Sequence, residues 1–344
     1  MRETPKIRVL IVDDSIFFRK ILEQNLTLDN NIQIIGTAVD SFDAMEKIRA
    51  LKPDVVTLDV EMPKLNGIDF LKKLIPIHPV PVVVVSSLPI NALDALDAGA
   101  VDFVKKPEIK SPQDLHYFMR ELTVKVKIAS NAQIGRKQPS LALPKASLTT
   151  RADNMVIAIG ASTGGTEAIL TVIKDLPQTT PGIVIVQHMP PVFTNMYAQR
   201  LDKICNMRVK EAQNNDRVER GQVLIAAGEY HLRLAKDARG YYVKSEQGPK
   251  VSGHCPSVDV LFQSVAATAG SNAVGVILTG MGADGAKGLH AMRQAGAFTI
   301  GQDKESCVVY GMPMVAFNIG GVVKQLPIDK IDNEIIRYLN AQKR

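Results

Sequence analysis

Short apolar runs alternate with amphipathic segments along the first 128 residues of the chain. The runs IRVLIVDD, IQIIGTA, VVTLD and VVVVSS have the length and composition of strands, and helical periods separate them over residues 15–28, 41–51 and 68–74. Strands separated by amphipathic helices are typical of a parallel sheet with helices on both faces. A last helix is predicted to begin at Ser111, which can cap it, with Pro112 in the first turn. Residues 1–128 therefore predict a doubly wound α/β domain with a five-stranded parallel sheet.

The alternating pattern stops over residues 129–153 and then resumes. This segment, ASNAQIGRKQPSLALPKASLTTRAD, is rich in Ser, Thr, Ala and Lys and has no sustained period, which is typical of an exposed linker. Strand-like runs return in MVIAIG, GIVIVQH, QVLIAA, AVGVILTG and AFTIG, with a hairpin pattern in HLRLAKDARGYYVK and a helical one over 257–269. A chain of 344 residues is long enough for two cores. We predict a second α/β domain over residues 154–344, with a mainly parallel sheet and a hairpin.

The distribution of charge argues against a nucleic-acid partner, although the chain has a net charge of +6. Residues 1–128 carry 17 Lys or Arg against 18 Asp or Glu, and the positive surplus lies in residues 129–153 and more diffusely beyond. Phosphate contacts need clustered positive charge. The sequence also shows no apolar segment long enough for a signal peptide or membrane span, and its three Cys are scattered. We therefore expect a cytoplasmic protein with reduced thiols and no direct membrane insertion.

Acidic and phosphate-binding side chains fall at successive strand ends of the first domain. Asp13 and Asp14 end the first strand, Asp59 the third, Ser86 the fourth and Lys106 the fifth. Taken singly, a strand-end Asp caps the next helix and a loop Lys is a solvated charge. Together they meet at one edge of a parallel sheet, where clustered carboxylates suit Mg²⁺ and the hydroxyl and ammonium suit phosphoryl oxygens. The set predicts a site for a phosphorylated carboxylate.

A glycine-rich turn, GASTGG, joins a strand to a helix at the start of the second domain. It lacks the G-x-G-x-x-G pattern and the later acidic residue of a dinucleotide loop, and Thr166 stands where a P-loop has Lys. Residues 160–164 do match G-x-S-x-G, the pattern of a turn that exposes a nucleophilic serine, here Ser162. Small neighbours and a helix N-terminus would stabilise negative charge that develops on a substrate carbonyl.

A serine nucleophile needs a base and a group that orients the base, and the sequence supplies both. His188 ends the strand GIVIVQH, and Asp284 follows the strand VGVILTG. Ser162, His188 and Asp284 would therefore lie at the same edge of a parallel sheet. The order Ser, His, Asp differs from that of α/β hydrolases, and triads recur in any order. The turn GMGADG also offers the backbone N–H of Met281 as an oxyanion donor.

Other residues compete for these roles on weaker grounds. His231 lies in the hairpin pattern, and His254 lies in a loop, SGHCPSVD, that can border the cleft. Cys255, which stands beside His254, is a formal alternative nucleophile. The side chains of adjacent residues rarely point at each other, so His254 is poorly placed to activate it. His188 is therefore the favoured base.

The motifs VLIVDDS, VVTLDVEMPKLNG, VVVVSS and GAVDFVKKP together resemble the response-regulator receiver domain over residues 5–128. The resemblance implies Asp59 as the phosphoacceptor and Mg²⁺ as the cofactor of phosphorylation. It also implies a set of residues around the phosphate: Asp13 and Asp14 as Mg²⁺ ligands with Asp59, Ser86 as the switch hydroxyl, Lys106 as the phosphate contact, and Phe103 as the aromatic switch residue. Phosphorylation would add a charge of about −1.5 to −2 at this edge.

The motifs IGASTGGTEA, VIVQHMP, HCPSVDVLF, LTGMGADGA and ESCVVYGMP resemble the catalytic domain of chemotaxis protein-glutamate methylesterases. The resemblance implies Ser162 as nucleophile, His188 as general base and acid, Asp284 as orienter, and the backbone at Thr163 and Met281 as the oxyanion hole. It further implies methyl-esterified glutamates of chemoreceptor cytoplasmic helices as substrate, deamidation of receptor glutamines as a related activity, a chemotaxis histidine kinase as phosphodonor, and no cofactor for the esterase.

These inferences lead to the hypothesis of a phosphorylation-gated serine esterase, in which the unphosphorylated receiver covers the mouth of the cleft. One rival is a response regulator whose second domain binds DNA, which would require a compact basic helix-turn-helix in place of strands and glycine-rich turns. Another is a stand-alone lipid or small-ester hydrolase, which would favour an apolar acyl pocket or lid, and the sequence shows no such insertion.

Overall fold

The computed structural model describes residues 5–62, 65–109, 111–134 and 154–342 of the chain. Contacts divide the chain into two compact units, residues 1–137 and 138–344. Most of the predicted linker, residues 135–153, lies outside the described residues. The predicted domain bounds therefore stay a prediction.

The first unit is a parallel sheet in the order β2-β1-β3-β4-β5. Strands and helices alternate along the chain as predicted. They are β1 Ile7–Val12, α1 Ile16–Leu26, β2 Ile32–Ala38, α2 Ser41–Leu51, β3 Val55–Asp59, α3 Gly67–Ile77, β4 Val82–Ser86, α4 Pro89–Asp97, β5 Asp102–Lys105 and α5 Pro112–Ala129.

The local sequence explains where these elements begin and what they bury. Strands β3 and β4 are buried along their whole length, which accounts for their continuous Val-rich runs. Helix α5 begins with a capping box, in which the Ser111 hydroxyl accepts from the Asp114 N–H and the Asp114 carboxylate accepts from the Ser111 N–H. Its inner face buries Met119, Leu122 and Val126.

The second unit holds a seven-stranded sheet in the order β14-β13-β12-β6-β7-β9-β8, in which every neighbouring pair is parallel. The antiparallel hairpin of β10 and β11 is separate from it. The elements are β6 Val156–Ala161, α6 Gly165–Ile173, β7 Ile183–Gln187, α7 Phe193–Ile204, β8 Arg208–Glu211, β9 Gln222–Ile225, β10 Tyr230–Asp237, β11 Gly240–Gln247, α8 Val258–Ala269, β12 Ala273–Ile277, α9 Ala286–Gln294, β13 Phe298–Gln302, α10 Met312–Asn318, β14 Lys324–Leu326 and α11 Ile328–Ala341.

The predicted fold class is confirmed for both units. Strands β6, β7 and β12 lie side by side and are fully buried, so their apolar runs were recognisable in the sequence. The sequence pattern missed β8 and β14, because their residues RVKE and KQL are short, polar and only partly buried. None of the helices in the described ranges combines the length and the apolar character that a membrane span requires.

Candidate functional site

The three predicted carboxylates of the first unit converge at the carboxyl edge of its sheet. Oxygen atoms of Asp13, Asp14 and Asp59 all lie within 4.8 Å of one another. Asp13 and Asp59 are buried and Asp14 is exposed, so the cluster faces the protein on one side and solvent on the other. Oxygen ligands at this spacing, with an open side for water, fit Mg²⁺.

Lys106 bridges the two buried carboxylates. Its Nζ lies 2.9 Å from Asp13 Oδ2 and 2.8 Å from Asp59 Oδ2. Burial raises the pKa of Asp13 from 3.8 to about 6, and the hydrogen bond from Lys106 opposes that rise. Burial disfavours the charged lysine, but the bonds to Asp59 and Asp13 outweigh it and raise the pKa of Lys106. The ammonium therefore stays charged and offsets part of the repulsion between the carboxylates.

The predicted switch residues lie at this edge, and Glu61 joins them. The Ser86 hydroxyl donates toward Glu61 Oε1 at 3.2 Å, and the Glu61 N–H donates to Asp59 Oδ1 at 3.0 Å. Glu61 thus links Asp59 to Ser86, a contact that no sequence motif indicates. Phe103 is buried, with the Lys125 ammonium 5.0 Å from its ring centroid.

The glycine-rich turn places Ser162 directly beyond β6. The Ser162 N–H donates to Thr279 O at 3.0 Å, and the Ser162 carbonyl accepts from the Gly165 N–H at 2.7 Å. Gly164 adopts a left-handed conformation with φ of 76°, where a Cβ would also meet the Val308 side chain at 2.6 Å. The turn therefore requires glycine, and it leaves the Ser162 side chain partly exposed.

His188 lies beside Ser162 because the two preceding residues pair across β6 and β7. Ala161 and Gln187 are in register, and the His188 N–H donates to Ala161 O at 3.2 Å. Neighbouring strands are about 5 Å apart, so Ser162 and His188 leave the sheet as neighbours. No hydrogen bond joins their side chains within the described part of the chain, as is common for catalytic groups without substrate.

Asp284 holds the other side of the His188 ring. Nε2 of His188 lies 2.8 Å from Asp284 Oδ2, whereas Nδ1 is buried without a hydrogen-bond partner among the described residues. A carboxylate accepts only, so Nε2 carries the proton and Nδ1 presents a lone pair. Nδ1 is thus the ring nitrogen that is left able to accept a proton.

The N-terminus of α8 binds the Asp284 carboxylate. The N–H groups of Val258 and Asp259 donate to it at 2.8 and 3.0 Å, and the Ser257 hydroxyl donates at 2.7 Å. Burial raises the pKa of Asp284, but the hydrogen bond and charge of His188 and the other donors outweigh it and lower the pKa. Asp284 is therefore a fixed anion that can stabilise a protonated His188.

The predicted oxyanion donors are Thr163, which follows Ser162 directly, and Met281, which follows Gly280, a residue that packs against the Ser162 side chain. The Ser162 N–H is used by Thr279, so it cannot also bind an oxyanion. The Met281 N–H makes no hydrogen bond within the described residues, and its side chain is exposed. Thr163 is buried, and its carbonyl accepts from the Thr279 hydroxyl at 3.0 Å, which fixes the turn.

Two neighbours of the triad received no role in the sequence analysis. His254 stacks on His188 with ring centroids 3.6 Å apart, whereas the sequence pattern indicates only a loop that can border the cleft. The Gln187 amide donates to the carbonyls of Ser162 and His188 at 2.9 and 3.2 Å, and so ties the nucleophile turn to the base. In the sequence, this role is signalled by a polar Gln at the end of an apolar strand, directly before His188.

The competing residues do not fit a catalytic role. His231 is buried in β10, donates through Nε2 to Pro249 O at 2.9 Å and accepts at Nδ1 from the Ser257 N–H at 3.3 Å. Both of its nitrogens are satisfied. Burial raises the pKa of the Cys255 thiol, which disfavours the reactive thiolate.

Comparisons with known proteins agree with this geometry. The model of the CheB methylesterase family matches residues 157–335, and that of the response regulator receiver domain matches residues 9–118. A protein-glutamate methylesterase/protein-glutamine glutaminase 2 of Syntrophomonas wolfei is 54% identical, covering 97% of this chain and 98% of its own. A protein-glutamate methylesterase/protein-glutamine glutaminase of Salmonella typhimurium is 46% identical, covering 98% of each chain. The solved catalytic domain of Thermotoga maritima CheB methylesterase is 38% identical with a TM-score of 0.53, and covers 54% of this chain and 98% of its own.

Proposed function

The chain belongs to the CheB methylesterase family with a receiver domain, and on this premise we propose that it is a serine esterase that hydrolyses glutamate methyl esters on chemoreceptor cytoplasmic helices. The observation that carries the proposal is the His188–Asp284 pair of 2.8 Å, set beside Ser162 at the carboxyl edge of one sheet. Glutamate and methanol would be the products, and receptor glutamines would be a second substrate.

The geometry supports a two-step acyl transfer. Nδ1 of His188 accepts the Ser162 proton while Oγ attacks the ester carbonyl, and Asp284 stabilises the resulting imidazolium. The N–H groups of Met281 and Thr163 are the proposed donors to the oxyanion. His188 then gives its proton to the methoxy group, methanol leaves, and an acyl-enzyme remains. Water, deprotonated by His188, attacks this ester, and glutamate and free Ser162 are released. With a glutamine substrate the leaving group is ammonia.

The acidic cluster of the receiver domain would control this activity. Its oxygen spacing fits Mg²⁺, and Asp13, Asp14 and Asp59 would hold the ion. Mg²⁺, when bound, offsets the negative charge of the incoming phosphoryl group. Asp59 is the proposed phosphoacceptor, Lys106 the contact to the phosphoryl oxygens, and Ser86 the hydroxyl that exchanges Glu61 for the phosphoryl group.

Phosphorylation would act by releasing the esterase from its own receiver domain. A phosphoryl group on Asp59 would carry more negative charge than the carboxylate that Lys106 now binds, so Lys106 and the segments around Ser86 and Phe103 would rearrange toward it. Removal of residues 1–150 is then expected to raise activity. A histidine kinase of the chemotaxis system is the proposed phosphodonor, and adaptation to stimuli the proposed role.

Methanol release from receptor-bearing membranes, premethylated on glutamate, tests both parts of the proposal. Release is expected from the intact protein, with an increase on addition of a small phosphodonor. The Ser162→Ala variant should release none, whereas Ser271→Ala, which changes an exposed serine, should behave as the parent. Asp59→Ala should retain basal release and lose the response to the phosphodonor. No release from the intact protein, with or without phosphodonor, would refute the esterase, and an inactive 151–344 fragment would refute inhibition by the receiver.

A further inference from the structure

A basic cleft lies in the second unit at the sheet edge opposite Ser162. It has a volume of about 220 Å³ and is bordered by Asn154, just before β6, and by Pro181 and Gly182, just before β7. Because β6 has six residues, the cleft lies roughly 20 Å from the nucleophile turn at the other end of that strand. It is therefore not part of the proposed ester site.

Positive side chains dominate the lining of this cleft. Of its 11 residues among those that the structure describes, four are basic, namely Arg217, Arg220, Lys236 and Arg239, and none is Asp or Glu. The Arg220 guanidinium donates to Thr179 O, which anchors it beside the cleft. Four cations around so small a space repel one another, and an anion between them would relieve that repulsion.

The nearby carboxylate of Asp237 binds one of these cations. Arg217 forms two parallel hydrogen bonds to it, of 2.8 and 2.6 Å. The bond from Arg217, with the charge of Arg239, lowers the pKa of Asp237 to about 2. Asp237 thus orients Arg217 and leaves the lining with a positive excess.

Tyr241 adds a buried polar group to the lining of the cleft. The residue lines the cleft, is 8% exposed, and its hydroxyl has no hydrogen-bond partner among the described residues. A buried hydroxyl without a partner is costly, and it is normally satisfied by a bound group. The Lys236 ammonium lies 5.0 Å from the Tyr241 ring centroid, so this cation packs against a ring that borders the cleft.

We propose that this cleft binds a compact small molecule carrying more than one phosphate or carboxylate group. Arg217, Arg220, Lys236 and Arg239 would neutralise the anion, and the Tyr241 hydroxyl would donate to one of its oxygens. The proposal is independent of the esterase activity, because neither the cleft nor its lining contacts Ser162, His188 or Asp284.

Calorimetric titration of the full chain with pyrophosphate and, separately, with tricarballylate tests the site. Metal is removed beforehand with a chelating resin, so that the receiver cluster holds none and no chelator competes for the cleft, and the ionic strength is kept constant. One saturable site is expected, and the stronger binder of the two identifies phosphate or carboxylate as the preferred group. The Lys236→Gln/Arg239→Gln variant should weaken binding at least about tenfold, because two charge-assisted contacts are lost. Tyr241→Phe should weaken it by roughly threefold to tenfold, as expected for one hydrogen bond.

The matched control is Arg233→Gln, which removes an exposed cation from the same hairpin but outside the cleft. Its affinity should equal that of the parent. Tyr241→Phe should also unfold at the parental temperature or above in the absence of anion, because it removes only an unsatisfied hydroxyl. Failure of both anions to bind at millimolar concentration, or equal binding by the parent and the Lys236→Gln/Arg239→Gln variant, would overturn the proposal.

Discussion

The imidazole rings of His188 and His254 are stacked, with centroids 3.6 Å and planes 7° apart. Burial, and then the charge of His188, lower the pKa of His254 to about 4, against the attraction of Asp284. His254 is therefore uncharged at neutral pH and would not repel a protonated His188. The stacked His254 ring therefore contacts His188 without placing a second positive charge beside it.

The first prediction concerns the effect of His254 on stability below neutral pH. Because its folded pKa lies below the unfolded value of 6.5, the unfolded chain takes up this proton first as the pH falls. The contribution is fully present above pH 6.5 and is lost toward pH 4, by up to about 3 kcal/mol of unfolding free energy. Urea unfolding, followed by circular dichroism between pH 7 and pH 4, should show a smaller decrease for His254→Phe than for the parent.

His254→Phe keeps a flat ring for stacking and removes only the titration. The other groups that act on His254, namely His188, Asp284 and Lys250, are present in both proteins. Their effects cancel in the comparison, as does the opposite trend from Asp13, whose pKa is raised to about 6. Parallel pH profiles for the two proteins would contradict the prediction.

The second prediction concerns Asp284. Asp284→Asn keeps the size of the side chain but removes the negative charge and offers an N–H₂ group to donors that already point at it. We expect kcat for methyl-ester hydrolysis to fall by about 10³ to 10⁴, because the imidazolium is no longer stabilised and the wrong tautomer of His188 is favoured. KM should change little, because Asp284 is buried and its carboxylate is bound by His188 and the N-terminus of α8, which leaves it no exposed surface for a substrate.

Asp259→Asn is the control for this substitution. Asp259 is also a buried carboxylate at the start of α8, but it accepts from the Gly288 N–H at 2.8 Å and the Ser252 hydroxyl at 3.2 Å. It makes no hydrogen bond to His188 within the described residues. A loss of kcat in Asp259→Asn as large as that in Asp284→Asn would show that the effect is structural.

The third prediction concerns Gly280, which packs against the nucleophile turn. A Cβ at this position would lie 2.7 Å from Ser162 Cβ and 2.4 Å from Met312 Sδ. Gly280→Ala should therefore displace Ser162, lower kcat by about 10² and destabilise the fold by about 1–3 kcal/mol. Kinetics of ester hydrolysis and urea unfolding measure the two effects.

Gly275→Ala separates the two effects. Gly275 lies in β12, and its Cβ would meet Leu289 and Met292 at 2.8 and 2.9 Å, away from Ser162. It should destabilise the fold by a similar amount and leave kcat of the folded protein near the parental value. If both variants lose kcat equally, general destabilisation accounts for the loss.

The sequence predicted those parts of the molecule in which one local pattern determines the outcome. Buried parallel strands such as β6 and β7 have continuous apolar runs, and the residues after them, Ser162 and His188, are brought together by strand register alone. Two features depend on loop geometry: which His188 nitrogen bonds to Asp284, and how the N-terminus of α8 binds the Asp284 carboxylate. The periodicity of apolar residues does not predict them. The stacked His254 reaches the site from a distant loop for the same reason.

The fourth prediction concerns Lys106, which is 18% exposed and bridges the buried carboxylates of Asp13 and Asp59. Lys106→Met should lower the unfolding free energy of the receiver domain by about 2 kcal/mol, because two close carboxylates lose their shared cation. Mg²⁺ should restore more stability to this variant than to the parent, since the ion supplies the missing positive charge and binds the folded cluster. Thermal unfolding with and without Mg²⁺ measures both effects.

Lys105→Met, at the exposed neighbouring position, should unfold like the parent under both conditions. An equal response of Lys106→Met and the parent to Mg²⁺ would mean that the carboxylates do not form one metal site.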